Sequence, residues 1–326
     1  MGEGCGMSAR RKNSGILPGC FSEARGFIVP AHRTMRGGCH GFFRKKRRRF
    51  MKWMLVLVAL LVLATYPAMA ASPDEKSGKE LATGQKQSQE KPIVPKPPLG
   101  SMVSIPAGEF TMGSQDGDAD EQPAHKVIVD GFSIDVYEVT VGEYADFLRS
   151  GGGHVPPDWE KMNHMKYHKR PVMGVDWADA AAFCKSAGKR LPTEAEWEKA
   201  ARGTDGRLYP WGNDPPTSRH ANYGRNGSND YAALVPVGTF EDGKSPYGVY
   251  DMAGNVWEWV SDWYDSNYYK NSPQQNPEGL PTGGFKVIRG GALNTSARTL
   301  RSSDRYWDPP SFRSLYLPGF RCVKKP

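Results

Sequence analysis

Beyond residue 70 the 326-residue chain has only two cysteines, Cys184 and Cys322; its other three, Cys5, Cys20 and Cys39, lie near the N-terminus. In an oxidising compartment such a pair forms one disulfide closing a long loop, and otherwise stays as two buried thiols. A basic surplus is also missing where it would matter. The formal charge is +8, but residues 1–70 hold 13 of the 43 Lys and Arg and only 2 of the 35 acids. The remainder is slightly acidic, so nucleic-acid binding loses its main electrostatic support. The longest apolar run, Met54 to Ala64, is too short to span a bilayer comfortably. No G-x-S-x-G, Walker loop or H-E-x-x-H is present. Ordinary hydrolase and nucleotide-binding readings therefore have no support. Nor does any internal repeat recur at solenoid or propeller periods.

What is present begins with a leader. MKWMLVLVALLVLATYPAMA, residues 51–70, has a short positive region at Lys52, an apolar run and Ala68-x-Ala70. That pattern predicts a secretory signal cleaved after Ala70, with a membrane tether only if it stays uncleaved. Residues 1–50 lack periodicity and read as an over-extended start or leader, since Met51 is itself a good start. Arg47-Arg48-Arg49-Phe50-Met51-Lys52 also resembles a twin-arginine export signal, so both export routes stay open. The expected location is exported, periplasmic or extracellular. Residues 71–100, rich in Lys, Glu, Ser, Gln and Pro without aromatics, read as a disordered linker. A single domain is expected over 101–326, ample for one core.

Within it, MVSIPAGEFTMGS predicts two short strands broken at Pro106-Ala107-Gly108, and KVIVDGFSIDVYEVT another strand or hairpin. VTVGEYADFLRS places Tyr144, Phe147 and Leu148 on one helical face. A second helix starts at an Asp176 N-cap and closes at Gly188. A third opens with a Thr193/Glu196 capping box and ends at Gly203. Two or three helices on small irregular sheets, with long loops, make an α+β fold with low regular secondary structure.

Four blocks stand out: IPAGEFTMGS at 105–114, GKRLPTEAEWEKAARG at 188–203, GVYDMAGNVWEWVSDWY at 248–264, and the tail from RGG at 289 to GFRC at 322. With YPWG at 209–212 and ANY at 221–223, they resemble the sulfatase-modifying-factor domain of the formylglycine-generating enzymes, from about Met102 to Cys322. The resemblance implies a compact fold related to the C-type lectins. It implies a disulfide joining Cys184 to Cys322. It implies structural calcium at Gly254, Asn255, Val256 and Glu258, and a second ion at Asn222 and Tyr223 with the Asn229-Asp230-Tyr231 turn. Oxygen ligands close together on a turn suit that hard cation. A tryptophan-rich core with satisfied carboxylates is the alternative for the 254–263 block.

In those enzymes the segment after RGG carries two cysteines that bind copper(I), a soft ion needing thiolates. Here the first position falls near Thr295 and the second between Ala297 and Leu300, and none of these is cysteine. Ala292 replaces the family's usual serine. The catalytic residues are therefore unknown, copper is not expected, and the chain should not be a copper-dependent formylglycine-generating oxidase. Arg289, Arg301, Arg305 and Arg321 match the family's repeated arginines and should pair with carboxylates such as Glu258 or Asp262. The aromatics and small polar residues between them read as a ligand groove formed by Trp259, Ala292, Asn294, Thr295, Arg305, Tyr306 and Trp307.

The leading expectation is a binding or accessory module, assisting maturation of another exported protein and taking a protein or peptide partner. One alternative is a divergent oxidoreductase-type enzyme of the same family acting on a protein or small-molecule substrate, like the branches that modify siderophore precursors. The sulfoxide-forming hercynine branch carries an iron-binding histidine domain for which this chain has no motif. A third reading takes the Arg-x-x-x-x-Pro-x-x-Arg rhythm of the tail, which resembles diversified lectin-fold ligand-binding proteins.

Overall fold

The computed structural model describes residues 95–163, 165–225, 231–313 and 318–326. The expected start, signal peptide and most of the linker lie outside the described residues. Among the described residues no helix is long and apolar enough to cross a membrane.

The chain opens with four short strands, β1 (Met102–Ile105), β2 (Gly108–Met112), β3 (His125–Val129) and β4 (Phe132–Asp135). Pro106-Ala107 breaks the first pair of strands, as the sequence predicts, because proline cannot donate to a ladder. The 126–140 segment does not form a hairpin with itself. β3 pairs antiparallel with β2, and β4 with β1, with Gly108 opposite Val129 and Ile105 opposite Phe132. Both partners interrupt at the same level, so one ribbon continues across two sheets. The buried Lys199 donates to Pro106 O at 2.7 Å and Gly108 O at 2.8 Å, so a buried ammonium caps the backbone on both sides of the break.

The three expected helices form, two of them at the predicted caps. α1 (Val141–Arg149) has a Thr140 N-cap with a reciprocal Glu143 capping box, and buries Val141, Tyr144, Ala145 and Phe147. Leu148 is only partly buried. After a single turn, α2 (Trp159–Met162), comes α3 (Trp177–Ser186), capped by Asp176 on Asp179 N at 2.8 Å. Gly188 ends that region at φ +67°. α4 (Glu194–Arg202) has the predicted Thr193/Glu196 box and stops at Gly203, φ +71°.

The second half is mostly loops around a three-stranded sheet of β5 (Glu258–Trp263), β6 (Lys286–Arg289) and β7 (Tyr306–Asp308), in that order. Successive strand residues face opposite sides. Trp259 and Ile288 accordingly enter one core with Tyr144, Val172 and Phe320. Val260 and Val287 enter another with Trp197, Phe110 and Ile134. The tail returns as β8 (Val323–Lys324) beside β4. There the Cys184–Cys322 disulfide, with 138 residues of separation, ties it to α3. The result is a mixed α+β fold with few helices and small open sheets.

The end of the expected linker belongs to the folded part. Tyr137 donates its hydroxyl to Pro97 O at 3.0 Å, and Ser101 N donates to Pro98 O at 3.2 Å. Prolines fixed near extended geometry lose little entropy on docking, which a compositional reading of the segment cannot register.

Candidate functional site

The arginines of the tail are set by α4. All nine residues of that helix are buried, including Glu194, Glu198 and Arg202. Arg289, fully buried on β6, donates to Glu194 at 3.2 Å and to Glu198 at 2.6 Å. Arg305 engages Glu194 at 2.8 and 3.0 Å, and Arg202 engages Glu198 at 2.8 Å. Burial raises the Glu194 pKa, but Arg305 and Arg289 outweigh it and hold the carboxyl below its ordinary value. Arg301 forks onto Glu121 at 2.8 and 2.6 Å. Of the two carboxylates expected to receive arginines, Glu258 does, from Arg321 at 2.7 Å on each oxygen, and it also takes Trp197 Nε1 at 2.8 Å. Asp262 does not. It accepts Glu194 N–H at 2.8 Å, at the start of α4, and burial followed by repulsion from Glu194 pushes its pKa up to about 7.

These contacts redraw the expected groove. Trp259 is fully buried with its indole on Val175 O, and Arg305 is locked on Glu194, so neither lines a surface. The sequence interleaves core and surface residues here without separating them. Ala292 is buried, while Asn294 and Thr295 are half-buried. Tyr306 and Trp307, on the edge strand β7, are 53% and 37% exposed. Trp257 stacks on Tyr306 with centroids 5.4 Å apart, and Phe285 and Tyr264 flank Trp307 at 4.4 and 5.5 Å. Phe285 and Tyr264 are the members that the sequence reading missed. Pairing across β5, β6 and β7 brings them in, with Tyr264 N donating to Phe285 O at 2.8 Å, and no local motif signals it.

In the segment where the family's copper thiolates would fall, near Thr295 and between Ala297 and Leu300, no side chain is a thiol. Thr299 Oγ1 donates to Thr295 Oγ1 at 2.7 Å, and Thr295 Oγ1 donates to Ala292 O at 2.9 Å. The two cysteines beyond residue 70 are spent on the disulfide. Copper(I) binding by a thiolate pair is therefore absent from this part of the chain.

The implied calcium residues are brought together in part. Asn222 Nδ2 donates to Asn255 Oδ1 at 3.2 Å, and Asn222 Oδ1 accepts from Arg225 Nε at 2.7 Å. Asn255 Oδ1 also takes Val235 N at 3.2 Å, and Asn255 Nδ2 donates to the buried Glu138 at 2.8 Å. Glu258 faces Arg321, as above. Gly254 and Val256 flank Asn255 and are buried, whereas Tyr223 and Tyr231 are half-buried and Asn229 and Asp230 lie outside the described residues. Every side-chain amide and carboxylate oxygen described in this set already accepts from a protein donor. The side-chain contacts of this set do not by themselves point to calcium, the backbone carbonyls and the 229–230 turn being the remaining candidates, and no step below is routed through an ion. A separate acidic cluster, Asp118, Glu121 and Asp304, brings carboxylate oxygens within 4.8 Å of one another and could in principle chelate a metal.

Of the three histidines between Gly151 and Pro171, His154, His164 and His168, the middle one lies outside the described residues. His154 Nδ1 is 2.9 Å from Asp179, and His168 Nε2 is 3.0 Å from Asn163.

Residues 87–326 match the sulfatase-modifying factor enzyme 1-like domain, and the chain belongs to that family. It is similar to the formylglycine-generating enzyme of Mus musculus, 34% identical over 288 residues, 69% of this chain and 75% of that protein. The serine/threonine-protein kinase pkn1 of Chlamydia pneumoniae is 37% identical over 250 residues, 71% of this chain but 39% of the kinase. The chain thus spans about two fifths of the chlamydial relatives it matches. Among solved structures, PvdO from Pseudomonas aeruginosa superposes with a TM-score of 0.58 at 31% identity, covering 69% of this chain and 94% of that one. Treponema denticola variable protein 1 gives 0.57 at 26%, covering 72% and 100%.

Proposed function

We propose that this chain is a recognition or accessory module of the sulfatase-modifying factor family, binding a protein or peptide through the face centred on Tyr306 and Trp307. The observation that supports the reading is the absence of any thiol near Thr295 and over Ala297 to Leu300, where copper thiolates would be needed, with Thr295 and Thr299 hydrogen-bonded to each other instead. The frame around it is intact, since its buried arginines all hold carboxylates. What changes is the chemistry offered at the surface. There the Trp257, Tyr306 and Trp307 rings give apolar area with few rotatable bonds, a composition suited to recognition.

Export is part of the same proposal, supported by a disulfide that fits an oxidising compartment. Calcium is not needed for this reading, since the side-chain oxygens of Asn222 and Asn255 already accept from protein donors. The test is mass spectrometry after incubation with a cysteine-containing sulfatase-motif peptide, copper and oxygen. No aldehyde above a metal-free control is expected. Aldehyde formation would establish an enzyme with a thiol-independent oxygen site and overturn the module reading.

A further inference from the structure

A cavity of about 580 Å3 opens between the β2 end, the C-terminus of α4 and the 297–301 turn. Its volume is that of an ordinary small-ligand pocket. Three guanidinium-bearing residues border it, Arg202, Arg298 and Arg301, against a single acid, Asp116. They come from separate parts of the chain, so no local sequence pattern explains their convergence. The other described cavity of similar size beside α4 has the opposite balance, with Asp130, Glu196 and Glu278 facing Arg190 and Lys325.

The compensating carboxylates stand behind the wall. Glu198 and Glu121 are fully buried and do not border the cavity. They hold the guanidiniums from the protein side. Arg202 Nη1 is fixed by Glu198 at 2.8 Å and Gly113 O at 2.7 Å, and Arg202 Nε by Arg207 O at 3.3 Å. Arg301 is forked on Glu121, and its Nε donates to Arg298 O at 3.0 Å. Arg298 is itself 65% exposed at its side chain and reaches Asp118 through Nη2. Arg202 and Arg301 are therefore oriented before any ligand arrives, while Arg298 is an exposed cation beside them. Planar, permanently charged forks of this kind suit oxyanions. Ser114, whose hydroxyl accepts Asp116 N at 3.2 Å, also lies on this wall.

We propose that this cavity is an oxyanion-binding site, taking a phosphate, sulfate or carboxylate group of a ligand between Arg202, Arg298 and Arg301. It goes beyond the recognition face of Tyr306 and Trp307, none of whose aromatic residues border it, so the two readings fail separately. Its place on the 297–301 turn puts an anion receptor beside the position of the missing second thiolate.

The test uses the full chain with inorganic phosphate, sulfate and acetate as probes at constant ionic strength, read by calorimetry and, for phosphate, by 31P line broadening. Arg298→Ala removes an exposed side chain and leaves the buried pairs in place, and Ser114→Asp adds a negative charge to the wall. We expect at least one probe to bind with one-to-one stoichiometry. Arg298→Ala should weaken it about tenfold, the loss of one charge-assisted contact. Ser114→Asp should weaken it at least as much, with circular dichroism unchanged in both. Preference for phosphate and sulfate over acetate would assign a tetrahedral group, and the reverse a carboxylate. Absence of binding by all three probes overturns the proposal. So does binding that neither variant alters, which would place the anion elsewhere on the surface.

Discussion

Thr299 Oγ1 and Thr295 Oγ1 are hydrogen-bonded at 2.7 Å, one turn apart, in the segment where the family's oxygen chemistry would require two thiolates. The pair is satisfied internally, since Thr295 also donates to Ala292 O and accepts Ala292 N at 3.0 Å. Hydroxyls arranged this way close a turn and offer a soft metal nothing. The buried arginine frame around them is complete, so loss of the redox centre has not cost the fold its support.

The disulfide should carry much of the domain's stability. Cys184→Ser or Cys322→Ser opens a loop with 138 residues of separation and is expected to cost roughly 3–5 kcal/mol through the chain entropy it releases. Urea denaturation measures this. The double variant should lose no more than either single one, because only one bond is at stake.

Arg289 is the centre of the buried network. Arg289→Met would leave Glu194 and Glu198 short of a partner in a dry site, and a loss of about 3–5 kcal/mol is expected. Denaturant midpoints of the variant and the parent decide it. A loss under 1 kcal/mol would mean that Arg305 and Arg202 compensate.

Asp262 gives a pH prediction with a definite sign. Its pKa rises from 3.8 to about 7 in the folded chain. Between those values the folded state holds a proton that the unfolded chain has released. The stabilisation from this group is complete below about pH 4 and is lost as pH rises through 7. Asp262→Asn keeps an acceptor for Glu194 N–H without the charge. The stability difference between parent and variant should therefore shift in the variant's favour by on the order of 2 kcal/mol from pH 5 to pH 8. Parallel curves would show that Asp262 titrates normally.

Tyr306→Ala and Trp307→Ala test the recognition face. Both side chains are substantially exposed, so stability should change by under about 1 kcal/mol. Capture of a partner from the native extracellular or periplasmic fraction should fall at least tenfold, about 1.4 kcal/mol. Capture equal to that of the parent would remove this face from consideration.

Much of the framework was readable locally. Asp176, Thr193 with Glu196, Gly188 and Gly203 fix helix ends through contacts spanning a few residues, so their spacing alone predicts them. The break at Pro106 is local too. The pairing of β3 was not, because strand partners are chosen by the whole ribbon. Within the groove, Tyr306 and Trp307 were legible as exposed aromatics, while Trp259 and Arg305 looked equivalent to them in sequence and are interior.

The sequence by itself determined the family, the cap positions, the absence of the thiolate pair and the availability of one disulfide, since each depends on residue identity or short spacing. Only the tertiary structure decided which charges are buried. α4 reads as a polar helix with one apolar stripe, yet every residue on it is buried. Its outer face is covered by β2, β6 and the tail, whose arginines and backbone carbonyls arrive from as far as 111 positions away. Burial of a charge is tolerated only where such partners converge, and convergence is a property of the folded chain.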